Sequence, residues 1–304
     1  MPEYPDIIIY IERLDAKLKG EILEKIQLLN PFLLRTFDPS IDSIFSKRII
    51  GFLRIGKRIV FELENEYFLV LHLMIAGRLR WKPTSFKATR KSASAVFVFA
   101  KGKLVLTEAG TKKRASLHLI KGKEMVQNFN SGGLEIFGST LEEYKEKLLI
   151  ENHTLKRSLT DPRLFSGIGN AYSDEILHSA NLSPILQTQK MNNGQIEKLF
   201  SVTQKVLLIW AQKFREEIGD GFPDKVTAFR EDMAVHGKFG KPCPVCTTTV
   251  QRIRYAANET NYCPTCQTGG KVLADRSLSR LLKNDWPRTV EELEELKKEK
   301  VNNE

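Results

Sequence analysis

Four cysteines fall within one 24-residue stretch, Cys243-Pro-Val-Cys246 followed after sixteen residues by Cys263-Pro-Thr-Cys266, and they are the chain's whole complement. Two CxxC pairs at this spacing bring four thiolates to the corners of a tetrahedron, each knuckle supplying two sulfurs from one tight turn; this is the ligand set of a single Zn²⁺. A closed four-sulfur shell leaves no position for water, so such a metal organises a fold and does no chemistry. Two disulfides are the competing assignment. They need an oxidising compartment, and Met1-Pro2-Glu3-Tyr4-Pro5-Asp6 has neither the basic region nor the apolar run of a signal peptide. Four unrelated thiols would rarely take this spacing with none left over. One structural zinc ion and an intracellular location are expected.

The length of 304 residues suits two domains with small appendages, and 41% hydrophobic with 28% charged residues suits soluble globular ones. The densest apolar run, Phe68 to Ile75, is strand-length and far short of a membrane span. Neither insertion in a membrane nor export is expected. A net charge of +10 and a pI near 9.3 favour a polyanionic partner. Beside a zinc finger, nucleic acid comes before a membrane surface. A monomer is expected.

Hydrophobic periodicity divides the chain. Ile7, Ile11, Leu14 and Leu18 repeat at helical spacing, with Asp6 placed to cap the start and Gly20 to end the helix. The period then changes to two. Lys57 to Leu63 and Tyr67 to Leu73 form one hairpin around Glu64-Asn65-Glu66, and Ala95 to Ala100 with Leu104 to Thr107 form another. Residues 128–140 turn to Asn, Ser and Gly, as in a linker. Leu141 to Leu149, Leu155 to Leu159, Ala171 to Ser179 and Ile196 to Trp210 are helical in period, and Thr289-x-x-Glu292 resembles a capping box before a last helix. The expected fold is α+β and multidomain: a β-sandwich with one N-terminal helix (1–127), a linker (128–140), a helical domain (141–235), a zinc-finger β-hairpin (236–270) and a tail with a helix (271–304).

The segment Asp161 to Leu177 contains Gly167-Ile168-Gly169-Asn170-Ala171-Tyr172. Two glycines permit a tight turn, and Asn170 opens a helix whose N–H groups can receive a phosphate. A helix C-cap followed by the next N-cap accounts for the same residues equally well. The segment resembles the helix-two-turn-helix signature of the formamidopyrimidine-DNA glycosylase and endonuclease VIII family of base-excision repair enzymes, in its bacterial, zinc-finger-containing form. Three further stretches resemble it in the same order: the Pro2-Glu3 start, the lysine hairpin Gly56-Lys57-Arg58-Ile59-Val60 with His72-Leu73-Met74-Ile75-Ala76-Gly77, and the finger with its lead His236-Gly237-Lys238-Phe239. Together they span roughly residues 1 to 270, which is far more specific than any one motif.

The resemblance implies a DNA glycosylase with abasic-site lyase activity. Removal of Met1 would leave Pro2 as a secondary amine; an α-amino group of pKa about 7.7–8.0 keeps a useful neutral fraction at neutral pH. Pro2 would attack C1′ of the damaged nucleotide, displace the base and form a Schiff base. Glu3 would protonate the opening sugar and move protons through β- and δ-elimination, and Lys57 would lie near the phosphate and the departing group. Gly169, Asn170, Tyr172 and Lys238 would belong to the DNA-binding surface. The partner would be duplex DNA carrying damaged bases or abasic sites, met in the cytoplasm or nucleoid. Each residue has an ordinary alternative: Lys57 as an exposed strand lysine, Tyr172 as a packing residue. Their joint occurrence argues against it.

The chain is a divergent member by the same standard. Where the family fills the gap left by a flipped base with methionine, arginine and phenylalanine, this chain places Ile75, Lys112 and Arg114. A cation thus replaces an aromatic wedge, and a guanidinium stacks by its plane or not at all. Asn258 stands where the finger commonly carries an arginine, and Glu259 beside it is expected to repel phosphate. Ile218 to Val226 shows no base-reading pattern. The lyase residues are intact while the positions that read the lesion are changed, so a non-catalytic relative that binds damaged or branched DNA is the second expectation. A zinc-ribbon RNA-binding or transcription factor is a third, and it leaves Pro2-Glu3 and the Gly-Ile-Gly-Asn turn unexplained. Arg276, Arg280, Lys283 and Arg288 could extend a DNA footprint, although a solvated helix of mixed charge explains them more simply.

Overall fold

The computed structural model describes residues 1–110, 112–224, 226–227, 229–255, 258–275, 280–281 and 286–302. Two compact units share the chain: Met1–Gly133 with Leu207–Thr227, and Leu134–Val206 with Ala228–Glu304. The fold is α+β, as expected.

The first unit opens with α1 (Tyr4–Leu18), which begins earlier than its apolar period suggests. Asp6 is not the cap. Glu3 is, with Asp6 at the third helical position, because Pro5 is tolerated in a first turn where its missing N–H is not needed. The buried stripe is Ile7, Tyr10, Leu14 and Leu18, all 0% exposed, with Ile11 at its margin. Among the described residues, nine strands follow in two antiparallel sheets. One has the order β1 (Ile22–Leu23), β3 (Lys47–Ile55), β4 (Arg58–Leu63), β5 (Tyr67–His72), β9 (Ser116–Lys121); the other β2 (Lys25–Leu28), β7 (Ala95–Phe99), β8 (Gly102–Glu108), β6 (Gly77–Lys82). Both expected hairpins form. Asn65 and Glu66 carry the first turn at φ of 62° and 58°.

The core lies between the sheets and is closed by α1. Phe61 of β4 stacks on Phe97 of β7, with centroids 5.6 Å apart, and meets the edge of Phe52 at 4.8 Å. The outer face of the five-stranded sheet is covered too, by Val126 of α2 (Lys123–Val126) over Val60, Phe68, Val70 and Ile120. A strand covered on both faces has no polar side, which explains the unbroken apolar run at Phe68 to Leu71.

In the second unit, α3 (Leu141–Leu149) starts at a Thr140–Glu143 capping box, and α4 (Leu155–Thr160) at Thr154. Helix α5 (Asn170–Ala180) ends on Asn181 in the left-handed region at φ 55°. The long α6 (Asn193–Ile218) crosses the boundary, its last part belonging to the first unit, where Arg215 clamps Glu12 at 2.6 Å. The finger comprises β10 (Gln251–Tyr255), β11 (Asn258–Tyr262) and α7 (Pro264–Thr268). The chain closes with α8 (Val290–Asn302). There Thr289 accepts from the Glu292 N–H at 3.3 Å, while Glu292 reaches back to the N–H of Arg288 at 2.6 Å, one residue before the expected box partner. Arg280 and Arg288 are exposed, whereas Arg276 and Lys283 lie outside the described residues. No helix among the described residues is long and apolar enough to cross a membrane.

Truncating Phe61 to Ala empties the centre of the sandwich and should cost about 3–5 kcal/mol of stability in denaturant unfolding. A loss below about 1 kcal/mol would contradict the packing described.

Candidate functional site

In the first unit, the residues expected to carry chemistry meet where α1 begins. Pro2 and Glu3 are both buried. Glu3 holds an extended backbone (φ −119°, ψ −171°), and its carboxylate accepts the Asp6 N–H while the Glu3 N–H donates to Asp6 Oδ2 at 2.8 Å. The two carboxyls are thereby fixed within one turn of the terminus. Burial above all, with the negative Glu3 adding to it, pushes the Asp6 carboxyl up to about 7, against the pull of the Glu3 N–H. The terminal amine is lowered, first by burial; Arg78 and Lys57 lower it further, and Glu3 and Asp6 oppose them.

Lys57 follows Gly56 (φ 58°) in the turn from β3 to β4. Arg54 ties that turn to the terminus: it donates to the Gly56 carbonyl at 2.7 Å, and its guanidinium lies 4.8 Å from the centre of the Tyr4 ring. Arg78 is held by the carbonyls of Ile75, Gly77 and Val226. At the end of β5, burial lowers His72 to about 4, with Arg58, Lys57 and His118 adding to the shift, so it is neutral at physiological pH. Asp6 and Arg78 were not anticipated as site residues. Asp6 carried only a capping signal, and Arg78 reaches the terminus through a fold no local pattern encodes.

The positions expected to fill a vacated base stack are on the surface. Ile75 is 58% exposed on a turn so tight that a Cβ at Gly77 would fall 2.2 Å from the Leu73 carbonyl oxygen. Lys112 and Arg114 are exposed in the loop after β8, where Glu108 accepts the backbone N–H groups of Arg114 (2.7 Å) and Ala115 (2.8 Å).

In the second unit, Gly167 takes φ 83° and Gly169 is the N-cap of α5. The Asn170 amide donates to the Glu259 carbonyl on β11 at 2.8 Å. Lys156 fixes the same turn, donating to the Asn170 carbonyl (2.6 Å), Ser173 Oγ (2.8 Å) and Asp174 (2.5 Å). Asp174 also accepts from the Asn261 N–H at 3.2 Å and faces His236 Nδ1 at 2.8 Å. Glu175 accepts three backbone N–H groups, those of Ala234, Val235 and His236, at 2.8 to 2.9 Å. Tyr172 is buried, which is the packing role open to it, and Lys238 is half-buried ahead of the finger.

The four cysteine sulfurs lie within 4.8 Å of one another, with Sγ–Sγ distances of 3.3, 3.4 and 3.9 Å, and no disulfide joins them. Four sulfurs about 2.3 Å from a tetrahedral zinc are about 3.8 Å apart, so the donor set fits the ion. His178 places Nε2 3.3 Å from Cys243 Sγ, an outer contact of the kind that orients a metal ligand.

Three family models match the chain in order: the formamidopyrimidine-DNA glycosylase N-terminal domain over residues 1–117, the H2TH domain of the same enzymes over 137–212, and the zinc finger found in FPG and IleRS over 240–269. A formamidopyrimidine-DNA glycosylase-like protein of Mycobacterium tuberculosis, uncharacterised, is 44% identical over 129 residues, 42% of this chain and 80% of that protein. The chain belongs to the formamidopyrimidine-DNA glycosylase family.

The formamidopyrimidine-DNA glycosylase of Rickettsia massiliae is 28% identical over 277 residues, 88% of this chain and 97% of that enzyme. Among solved structures, the Lactococcus lactis enzyme in complex with abasic-site DNA shares the fold with a TM-score of 0.76 at 24% identity, covering 88% of this chain and 99% of that one. In this member of the family the finger holds one structural zinc ion through Cys243, Cys246, Cys263 and Cys266. Glu259 does not stand as an isolated negative charge, because Arg252 and Arg254 both reach its Oε2, at 3.3 and 3.1 Å.

Elemental analysis should find one zinc per chain, and Cys263→Ser should lose the metal and lower the melting temperature; full metal content in that variant would contradict the assignment. The Asp6 carboxyl, at about 7 in the fold against 3.8 when unfolded, holds a proton that the unfolded chain has released. Its contribution to stability is complete below about pH 4 and is lost as pH rises through about 7. Asp6→Asn should therefore flatten the fall in melting temperature across that window, and an unchanged slope would refute the assignment.

Proposed function

We propose that the protein is a base-excision DNA glycosylase with abasic-site lyase activity, acting on duplex DNA through an amine at Pro2. The observation that carries this reading is the terminus: a buried Pro2 beside a Glu3 locked by its own helix cap, in surroundings that lower the affinity of a terminal amine for protons. That amine belongs to Met1. Cleavage after Met1 moves the amine one residue inward, to the buried Pro2, where burial again favours the neutral, nucleophilic form. The Pro2 nitrogen then attacks C1′, the bond from C1′ to the base breaks, and Glu3 is placed to give a proton to the opening sugar oxygen. The resulting iminium makes the C2′ proton acidic, and its removal expels the 3′ phosphate; loss of the C4′ proton from the conjugated iminium then expels the 5′ phosphate. Lys57, tied to the terminus through Arg54, supplies positive charge for the phosphate. The DNA-bound state of the related Lactococcus lactis enzyme supports the choice of partner.

A second reading, a relative that binds damaged or branched DNA without cutting it, draws on Arg114 and Asn258 at the changed positions. Borohydride should trap the Met1-cleaved protein covalently on abasic-site duplex, and Glu3→Gln should slow strand scission by about 10²–10⁴-fold. Tight binding with neither trapping nor scission on abasic, formamidopyrimidine, 8-oxoguanine or oxidised-pyrimidine duplexes would establish the second reading instead.

A further inference from the structure

The turn of the finger offers Asn258 where a cation would be expected, yet the hairpin is not poor in cations. Arg252 and Arg254 stand two apart on β10, on one face, opposite Asn261 and Glu259 of β11. The free edge of β11 meets α5, since the Asn261 N–H bonds to Asp174 and the Glu259 carbonyl accepts from Asn170. The two arginines share a single carboxylate oxygen, so the group keeps one net positive charge.

They are held differently. Arg252 lies flat against Phe239, its guanidinium carbon 4.0 Å from the ring centre, and its side chain is 28% exposed. Arg254 is 56% exposed and bonds Glu259 only through Nε, and among the described residues its two terminal nitrogens make no hydrogen bond. The open fork of a guanidinium matches two oxygens of a phosphate. Its backbone, by contrast, is pinned: the Arg254 N–H donates at 2.8 Å to Asp275, which is 4% exposed. Asp275 lies beyond residue 269, where the finger model ends, and Val272 of the same stretch is bonded to the Arg288 carbonyl at 2.9 Å. The tail thus braces the strand position that presents the fork.

We propose that Arg254 is the phosphate-binding residue of this finger, taking a backbone phosphate of duplex DNA beside the Asn170 turn, and that Glu259 is its internal competitor. In the DNA-free protein Glu259 holds the guanidinium by Nε. On binding, phosphate oxygens take the Nη pair and Arg252 remains with Glu259. Asn258 is then not the grip. The proposal rests on the DNA-binding part of the proposed function and not on catalysis.

The test is a salt series of fluorescence-anisotropy titrations on a duplex containing a tetrahydrofuran abasic analogue, using the full chain with its zinc content verified. Arg254→Gln should weaken binding about tenfold at low salt and reduce the slope of log K against log salt by about one. Arg254→Lys should keep the slope, and Asn258→Ala should change neither quantity. Glu259→Gln should strengthen binding severalfold, a gain that should vanish when combined with Arg254→Gln. A wild-type slope in Arg254→Gln, or a Glu259→Gln gain that survives in the double variant, overturns the proposal. Failure of the wild-type protein to bind the duplex at all would instead remove the DNA reading on which it stands.

Discussion

The second unit depends on two adjacent buried carboxylates. Asp174 and Glu175, at the middle of α5, accept from Lys156 of α4, from Asn261 of β11 and from three successive N–H groups at 234 to 236, with His236 facing Asp174. A buried carboxylate is costly unless its lone pairs are occupied, and a buried N–H is costly unless it has an acceptor. Each element therefore needs the others in place. Removing the Glu175 carboxylate would orphan three N–H groups on the path into the finger. One helix thereby sets the position of the Asn170 turn, the segment that enters the finger and the strand that carries Glu259.

The first unit uses the same economy at its terminus. The capping box that starts α1 also immobilises the two carboxyls nearest Pro2. A residue assigned to catalysis is usually held by a second set of supporting side chains. Here the helix cap provides part of that support, from within the same turn of chain. The cost falls on Asp6, whose carboxyl is buried so deeply that its charged form is disfavoured near neutrality.

Much of this was legible in the chain, and the parts that were not share a cause. The zinc ligands, the two hairpins and most helices announce themselves through spacing, because CxxC turns, period-two strands and capping residues are local signals. Strand β9 carries no such local signal: its partner is β5, distant in sequence. The start of α1 is ambiguous in sequence because Asp6 fits a cap as well as it fits the third position of a box. The ion pairs of Glu259 are invisible in sequence because Arg252 and Arg254 become its neighbours only when the hairpin closes. The roles of Arg78 and Asp275 likewise depend on contacts across many residues, which periodicity cannot show.

The contact between His178 and Cys243 links the metal to events farther along α5. His178 and Asn170 are eight residues apart on one helix, a rise of about 12 Å. A helix transmits displacement along its axis as a stiff rod, so a finger that loses its ion also loses one of the anchors of that helix. The Lys156 and Asp174 bonds grip the opposite end of that rod, so the Asn170 turn is held between a metal-linked contact and an ion pair.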